Sequence, residues 1–106
     1  MTFDDSALWY LIAGTRGGPT RLQMMLELLE RPYNANQLAE RLALDYKTVR
    51  RHLEVLVENG LVRISKEKRY GELYHLSDYA REKVKVFEKI LGKIRDDASR
   101  ERKRAD

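Results

Sequence analysis

The sequence has no cysteine, and its 106 residues include only two histidines and two prolines. The absence of cysteine excludes disulfide bonds, thiolate catalysis and every zinc or iron–sulfur site that needs a cysteine ligand. No apolar run approaches the roughly 20 residues that a membrane-spanning helix needs. The acidic start, Met1 to Asp5, lacks the positive charge of a signal peptide. We therefore expect a cytoplasmic protein with no membrane partner.

Groups that support catalysis are also scarce. Neither His52 nor His75 has the nucleophile and carboxylate neighbours that acid–base or acyl-transfer chemistry needs. Gly14, Gly17 and Gly18 fit neither of the glycine-rich phosphate-binding patterns, GxxxxGK[ST] and GxGxxG. We expect no enzymatic activity, no cofactor and no bound metal.

Charged residues, in contrast, are abundant at 36% of the chain, with 21 Lys+Arg against 17 Asp+Glu and a net charge of +4. The length favours one compact domain. This net charge is modest for a nucleic-acid-binding protein, so the placement of the basic residues decides whether the charge favours nucleic-acid binding.

Helical periodicity dominates the chain and predicts five helices, at about residues 4–13, 19–31, 37–42, 46–59 and 78–97. Asn34 or Asn36 is expected to cap the third helix and Asp45 the fourth, which Gly60 ends. Because only Ala43-Leu44-Asp45 separates the short third helix from the fourth, this pair has the spacing of a helix-turn-helix.

The period changes after Gly60. Leu61–Ser65 alternates apolar and polar residues, Lys66–Gly71 is polar, and Glu72–Leu76 is a second strand candidate before the Ser77 cap of the last helix. The expected fold class is mainly α with a small β-hairpin.

The fourth helix has two unlike faces. Leu53 and Leu56 lie within about 40° of Val49 on a helical wheel, and the other side is mostly cationic. The exposed residues near its start are Lys47, Thr48, Arg50 and Arg51. Such a face is suited to the major groove, where arginine binds guanine O6 and N7 bidentately. The alternative is a solvated face with no ligand.

The hairpin tip carries a second cationic group, made up of Lys66, Lys68 and Arg69 with the neighbouring Tyr70. Acidic residues lie mainly at the far end of the fourth helix and along the strands. This sorted placement favours a DNA-facing surface over a merely solvated one.

Residues 36–62 resemble the winged helix-turn-helix of ArsR-type transcriptional regulators, especially archaeal ones. The match lies in Thr48-Val49, Arg51-His52-Leu53, Leu56 and Gly60-Leu61-Val62, which follow the family pattern T-V-x-R-H-L-x-x-L-x-x-x-G-L-V. The resemblance implies sequence-specific binding of double-stranded DNA and places His52 as a packing residue where the recognition helix meets the wing. The contacts it implies are Tyr46, Lys47, Thr48, Arg50 and Arg51 on the recognition helix, and Lys66, Lys68, Arg69 and Tyr70 on the wing.

The chain departs from this family where many members sense metals. Gln37–Arg41 stands where those proteins have a cysteine-containing box, and no histidine follows His75 to serve as a ligand on the last helix. Metal sensing and thiol redox sensing are therefore not expected. The sequence does not indicate which small-molecule effector, if any, the protein binds.

The last helix carries a heptad seam of Ala80, Val84, Phe87, Leu91, Ile94 and Ala98. The first helix is also strongly apolar. We expect these two helices to form a two-fold homodimer interface, as the resemblance also implies; the alternative is a last helix that packs only on its own domain. The expected interface residues are Leu8, Trp9, Leu11, Ile12, Val84, Phe87, Leu91 and Ile94.

The expected architecture is one winged helix-turn-helix domain flanked by dimerisation helices. Its parts are an N-terminal dimer helix (1–14), a winged core (19–76), a C-terminal dimer helix (78–98) and a basic tail (99–106). A two-fold dimer would bind an inverted repeat with half-sites about 10 base pairs apart, most simply as a repressor. A non-specific architectural DNA-binding protein and a protein-interaction module are the two other hypotheses.

Overall fold

The computed structural model describes residues 5–86 and residue 88. In chain order it contains α1 (Asp5–Ala13), α2 (Gly18–Glu30), α3 (Ala35–Leu42), α4 (Tyr46–Glu58), β1 (Val62–Glu67) and β2 (Gly71–Leu76). A fifth helix, α5, begins at residue 78 and is helical through residue 86. The order of elements is the predicted one, mainly helical with one antiparallel hairpin.

Polar caps fix where the central helices begin. Asn34, one of the two predicted candidates, accepts a hydrogen bond from the Gln37 N–H at 2.8 Å, and the Gln37 side chain accepts one from the Asn34 N–H at 2.9 Å. This reciprocal capping box satisfies two N–H groups that an uncapped helix leaves unpaired. Asp45 caps α4 through the Thr48 N–H at 3.2 Å, and Ser77 caps α5 through the Ala80 N–H at 3.2 Å.

The hairpin is longer than the alternation of residues predicts. Lys66 pairs with Glu72 and Glu67 pairs with Gly71, so the strands include residues that the sequence assigns to the turn. Opposite charges facing each other across the strands favour this extension. The turn is thereby shortened to residues 68–70.

A short bridge that the sequence does not predict attaches the hairpin to the helices. Tyr33, between α2 and α3, pairs with Tyr74 of β2 through backbone hydrogen bonds of 2.9 Å and 3.4 Å. Both tyrosines are buried. The hairpin is therefore held at a fixed position beside the start of α3.

One hydrophobic core connects all of these elements. Val49, Leu53 and Leu56 of α4 are fully buried in it, as the predicted helical face requires. The remaining buried apolar side chains include Leu8, Ile12, Met24, Met25, Leu28, Leu38, Leu61, Leu76, Ala80 and Val84.

The core also receives side chains that the sequence assigns to a dimer interface. Leu8, Ile12 and Val84 are buried within the single chain, because α1 and α5 pack on the winged core as well as on each other. These three residues are therefore core residues and not part of a free surface. Trp9 is exposed and Leu11 is half-buried, whereas Phe87, Leu91 and Ile94 lie outside the described residues.

Candidate nucleic-acid interface

The first half of α4 presents the predicted polar face to solvent. Tyr46, Lys47 and Arg51 are exposed, and Arg50 is half-buried because it leans toward the hairpin. Thr48 is half-buried, and its hydroxyl donates to the Asp45 carboxylate at 3.2 Å, so it contributes to the helix cap. The burial of the opposite face in the core prevents α4 from rotating these side chains inward.

The four predicted wing residues are all exposed, as the sequence leads us to expect. They are Lys66, Lys68, Arg69 and Tyr70. The Arg69 guanidinium lies 5.8 Å from the centre of the Tyr70 ring, a distance consistent with a weak cation–π contact. The wing therefore has a cationic tip with one aromatic side chain on it.

The recognition helix and the wing meet the start of α3 around a shared cavity of about 260 Å³. Its polar and aromatic walls come from Asn34, Asn36, Tyr46, Arg50 and Tyr70, among others. The Asn34 amide donates to the Tyr70 carbonyl at 3.4 Å and so links the α3 cap to the wing. The structure thus brings predicted residues from both elements onto one concave surface.

Several residues of this surface are absent from the sequence-based set. Asn34, Asn36, Glu72 and Tyr74 line the same cavity. The sequence predicts only a helix-capping role, for Asn34 or Asn36, and a role at the surface has no separate sequence signal. Glu72 and Tyr74 come from β2, and their position depends on the hairpin register.

Arg50 is the recognition-helix cation that the fold pairs with an acid. Its Nη1 lies 3.7 Å from Oε2 of Glu72, and the Tyr74 hydroxyl donates to the same carboxylate oxygen at 3.3 Å. The phenols of Tyr74 and Tyr46, together with Glu72, raise the pKa of the Arg50 guanidinium. Burial is the main cause that raises the pKa of Tyr74. At neutral pH Arg50 is therefore charged.

His52 lies on a different side of α4 from the wing. Its Nδ1 is 3.3 Å from Nη1 of Arg21. The prediction that His52 packs where the recognition helix meets the wing is therefore wrong in its position. Burial, followed by the charges of Arg21 and Arg51, lowers the pKa of His52. The histidine therefore packs between α4 and the start of α2.

Neither a membrane helix nor a metal cluster is found within residues 5–86 and 88. No helix there combines the length and the apolar character needed to span a bilayer. No three His, Cys, Asp or Glu side chains of this part of the chain gather closely enough to hold a metal ion.

Residues 18–63 match the model of the family described as bacterial regulatory protein, arsR family. No curated protein matches the chain significantly in sequence. Among solved structures, the chain is similar to a transcriptional regulator homologue from Pyrococcus horikoshii OT3, with 26% identity and a TM-score of 0.69. That alignment covers 90% of this chain and 98% of the Pyrococcus chain.

Two bacterial structures are similar over a smaller share of their length. A probable transcriptional regulator from Pseudomonas aeruginosa is 30% identical, with a TM-score of 0.61, over 74% of this chain and 61% of that one. A mutant of ZitR from Lactococcus lactis is 22% identical, with a TM-score of 0.64, over 76% of this chain and 60% of that one, and it supports the fold alone. Together these matches confirm the predicted winged helix-turn-helix fold.

Proposed function

Because residues 18–63 match the model of the arsR family, we propose that this protein regulates transcription as a homodimer that binds an inverted-repeat DNA operator sequence-specifically and represses the genes beside it. The match bears out the resemblance that the sequence shows over residues 36–62. The family and fold are those of DNA-binding transcriptional regulators and not of enzymes.

The observation that carries this proposal is the shared surface of α4 and the wing. Lys47 and Arg51 on the helix and Lys68 on the wing are exposed on elements that meet around one cavity. A convex helix flanked by a cationic hairpin is the shape and charge that fit a major groove and the adjacent phosphates. We assign base contacts to Arg50 and Arg51.

The remaining predicted residues are assigned to the DNA backbone or to the edges of the site. Phosphate contacts are proposed for Lys47, Lys66, Lys68 and Arg69, and supporting contacts for Tyr46, Thr48 and Tyr70. Phosphate contacts set the orientation of the protein and its salt dependence, whereas base contacts supply sequence preference. Each class therefore has its own experimental signature.

Homodimer formation is supported by large side chains with apolar surface that are partly exposed in the single chain. Trp9 is 47% exposed, and Tyr10 of α1 and Val86 of α5 are also exposed. An ion pair joins α1 and α5, since Lys83 Nζ lies 2.8 Å from Asp5 Oδ2. Light scattering on the full chain tests the dimer, and we expect Tyr10→Glu to lower the dimer fraction without unfolding the protein.

Selection from a random duplex DNA pool tests the DNA-binding proposal. Sequencing of the bound fraction should reveal an inverted repeat, and affinities for that repeat and for a scrambled duplex are then measured at two salt concentrations. Binding without enrichment would instead favour the architectural alternative, because backbone contacts carry no sequence information. No binding at low salt would favour the protein-interaction module.

A prokaryotic cytoplasm is the proposed location, since that is where a transcriptional regulator of this family meets its operator. The Pyrococcus neighbour supports an archaeal source. No effector is proposed.

A further inference from the structure

Glu72 is an acidic side chain next to a cation that we assign to DNA binding. It lines the cavity between α3, α4 and the wing, and it also lines a second cavity of about 290 Å³ between α4 and the hairpin. Its carboxylate lies 3.7 Å from the Arg50 guanidinium. A carboxylate in this position repels phosphate and occupies a cation that DNA would otherwise contact.

Glu72 has a second partner besides Arg50, and the ion pair between Glu72 and Arg50 is exposed to solvent. The Tyr74 hydroxyl donates to Glu72 at 3.3 Å, and Tyr74 itself is buried. The Arg50 and Glu72 side chains are 40% and 41% exposed. Their separation of 3.7 Å is about 1 Å longer than those of the pairs Arg41–Glu27 (2.7 Å) and Lys83–Asp5 (2.8 Å). This loose, solvated pair is easily exchanged for another partner.

We propose that Glu72 is a specificity-determining residue, which holds Arg50 in an internal ion pair and yields it only to a DNA site that offers a better partner. This inference rests on the proposed function. A guanine edge gives the guanidinium two aligned hydrogen bonds and can replace the pair. A site without that edge offers no such replacement, so Arg50 stays with Glu72 there and the ion pair does not have to be broken.

The consequence is that Glu72 penalises operator binding more than binding to non-cognate DNA, because only the operator complex breaks the ion pair and leaves the carboxylate without its cation. Specificity is a difference between two affinities, so a cost that falls mainly on the operator lowers it. Glu72→Gln removes the charge and keeps the size of the side chain. We expect it to raise affinity for the operator by about tenfold and affinity for a scrambled duplex by less.

A double-mutant cycle with Arg50 tests this inference. Affinities of the full chain for the selected operator and for a scrambled duplex are measured for wild type, Glu72→Gln, Arg50→Ala and the double variant at one salt concentration. If Glu72 acts through Arg50, Glu72→Gln raises the ratio of operator to scrambled affinity in the wild-type background and leaves it unchanged when Arg50 is absent.

Glu67→Gln is the matched control, because it removes the same charge from the same hairpin. Glu67 contacts the Ser65 hydroxyl at 3.4 Å and forms no ion pair within the described residues. Its loss should raise both affinities equally, with or without Arg50. Thermal melts of each variant confirm folding, and Glu72→Ala, which also removes the carboxylate, replaces Glu72→Gln under the same criterion if the latter does not fold.

The outcomes separate this inference from the proposed function. Equal effects of Glu72→Gln and Glu67→Gln in both Arg50 backgrounds would overturn the role of Glu72 and leave DNA binding intact. Failure of the wild-type protein to bind any duplex would overturn the proposed function and this inference together. Binding without any preferred sequence would overturn sequence specificity and, with it, this inference, while DNA binding itself would stand.

Discussion

Nη1 of Arg21 lies 3.3 Å from Nδ1 of His52, and this contact joins the start of α2 to the recognition helix. The Arg21 side chain is only 7% exposed, and it also donates to the Leu11 carbonyl through Nε at 3.1 Å and Nη2 at 2.8 Å. Thr15 accepts a further hydrogen bond from it. Arginine only donates, so Nδ1 of His52 must be unprotonated. A neutral histidine therefore completes a network that spans α1, α2 and α4.

The free energy of unfolding should fall as the pH drops below about 6.5. Burial and the neighbouring arginines lower the pKa of His52 in the folded chain, and burial followed by Arg63 lowers the pKa of His75. The unfolded chain, with histidine pKa values near 6.5, then binds more protons than the folded chain. The histidine contribution is complete above the unfolded value and is lost below it. Urea denaturation between pH 7.5 and pH 5.5 measures the effect.

His52→Asn is the informative variant for this pH dependence. Its side-chain oxygen accepts a hydrogen bond in place of Nδ1 without gaining a proton. We expect a smaller loss of stability across the same pH range than in wild type, with the remainder due to His75. An unchanged pH profile in this variant would show that His52 is not the titrating group.

Replacement of Arg21 by methionine should destabilise the protein by about 2–4 kcal/mol. The substitution keeps most of the side-chain length but removes the guanidinium donors to the half-buried Leu11 carbonyl and Thr15 hydroxyl. The Leu11 carbonyl then keeps only the Thr15 hydroxyl as a side-chain donor. Chemical denaturation measures the change. Arg31→Met is the control. Because Arg31 is exposed, this substitution should lower the free energy of unfolding by well under 1 kcal/mol. Similar losses for both variants would contradict a special role for the buried guanidinium.

Local sequence signals predicted the helices and their caps well. Asn34, Asp45 and Ser77 each accept hydrogen bonds from N–H groups at the start of a helix, and these contacts depend only on residues three positions away. The buried face of α4 followed from helical spacing alone. The exposed cations on α4 and on the wing follow from the same patterns, and their contacts with DNA stay a prediction.

Contacts between distant parts of the chain were not predictable in this way. The bridge between Tyr33 and Tyr74, the pairing of Arg50 with Glu72 and the burial of Arg21 arise only after the helices pack. The apolar residues of α1 and α5 illustrate the same limit. Hydrophobic spacing shows that a face is covered, but it does not distinguish the protein's own core from a partner.

Gly18 should not tolerate alanine, because a Cβ there would lie 1.8 Å from the Ile12 carbonyl oxygen. That oxygen belongs to the backbone of α1, so relief requires α1 to move away from α2. We expect Gly18→Ala to destabilise the protein by about 3 kcal/mol or more. Gly71→Ala is the control, since Gly71 has φ of +70° and open space around it. Gly71→Ala should lower the free energy of unfolding by only about 1–2 kcal/mol, the penalty for a left-handed backbone conformation at a non-glycine residue. Equal losses in thermal melts would argue against the close approach.

Alanine substitutions at the arginines and at the lysines of the proposed interface should change DNA binding in different ways. Arg50→Ala or Arg51→Ala should cost about 1–3 kcal/mol of operator binding and less on a scrambled duplex, since a lost base contact removes sequence preference. Lys68→Ala should weaken both duplexes alike and lower the slope of log affinity against log salt by about one, since it removes one phosphate contact. Titrations of both duplexes across a salt series measure these quantities. If both arginine variants lose equal affinity for the two duplexes, base recognition must come from other side chains, and Arg50 and Arg51 would join the phosphate-binding group.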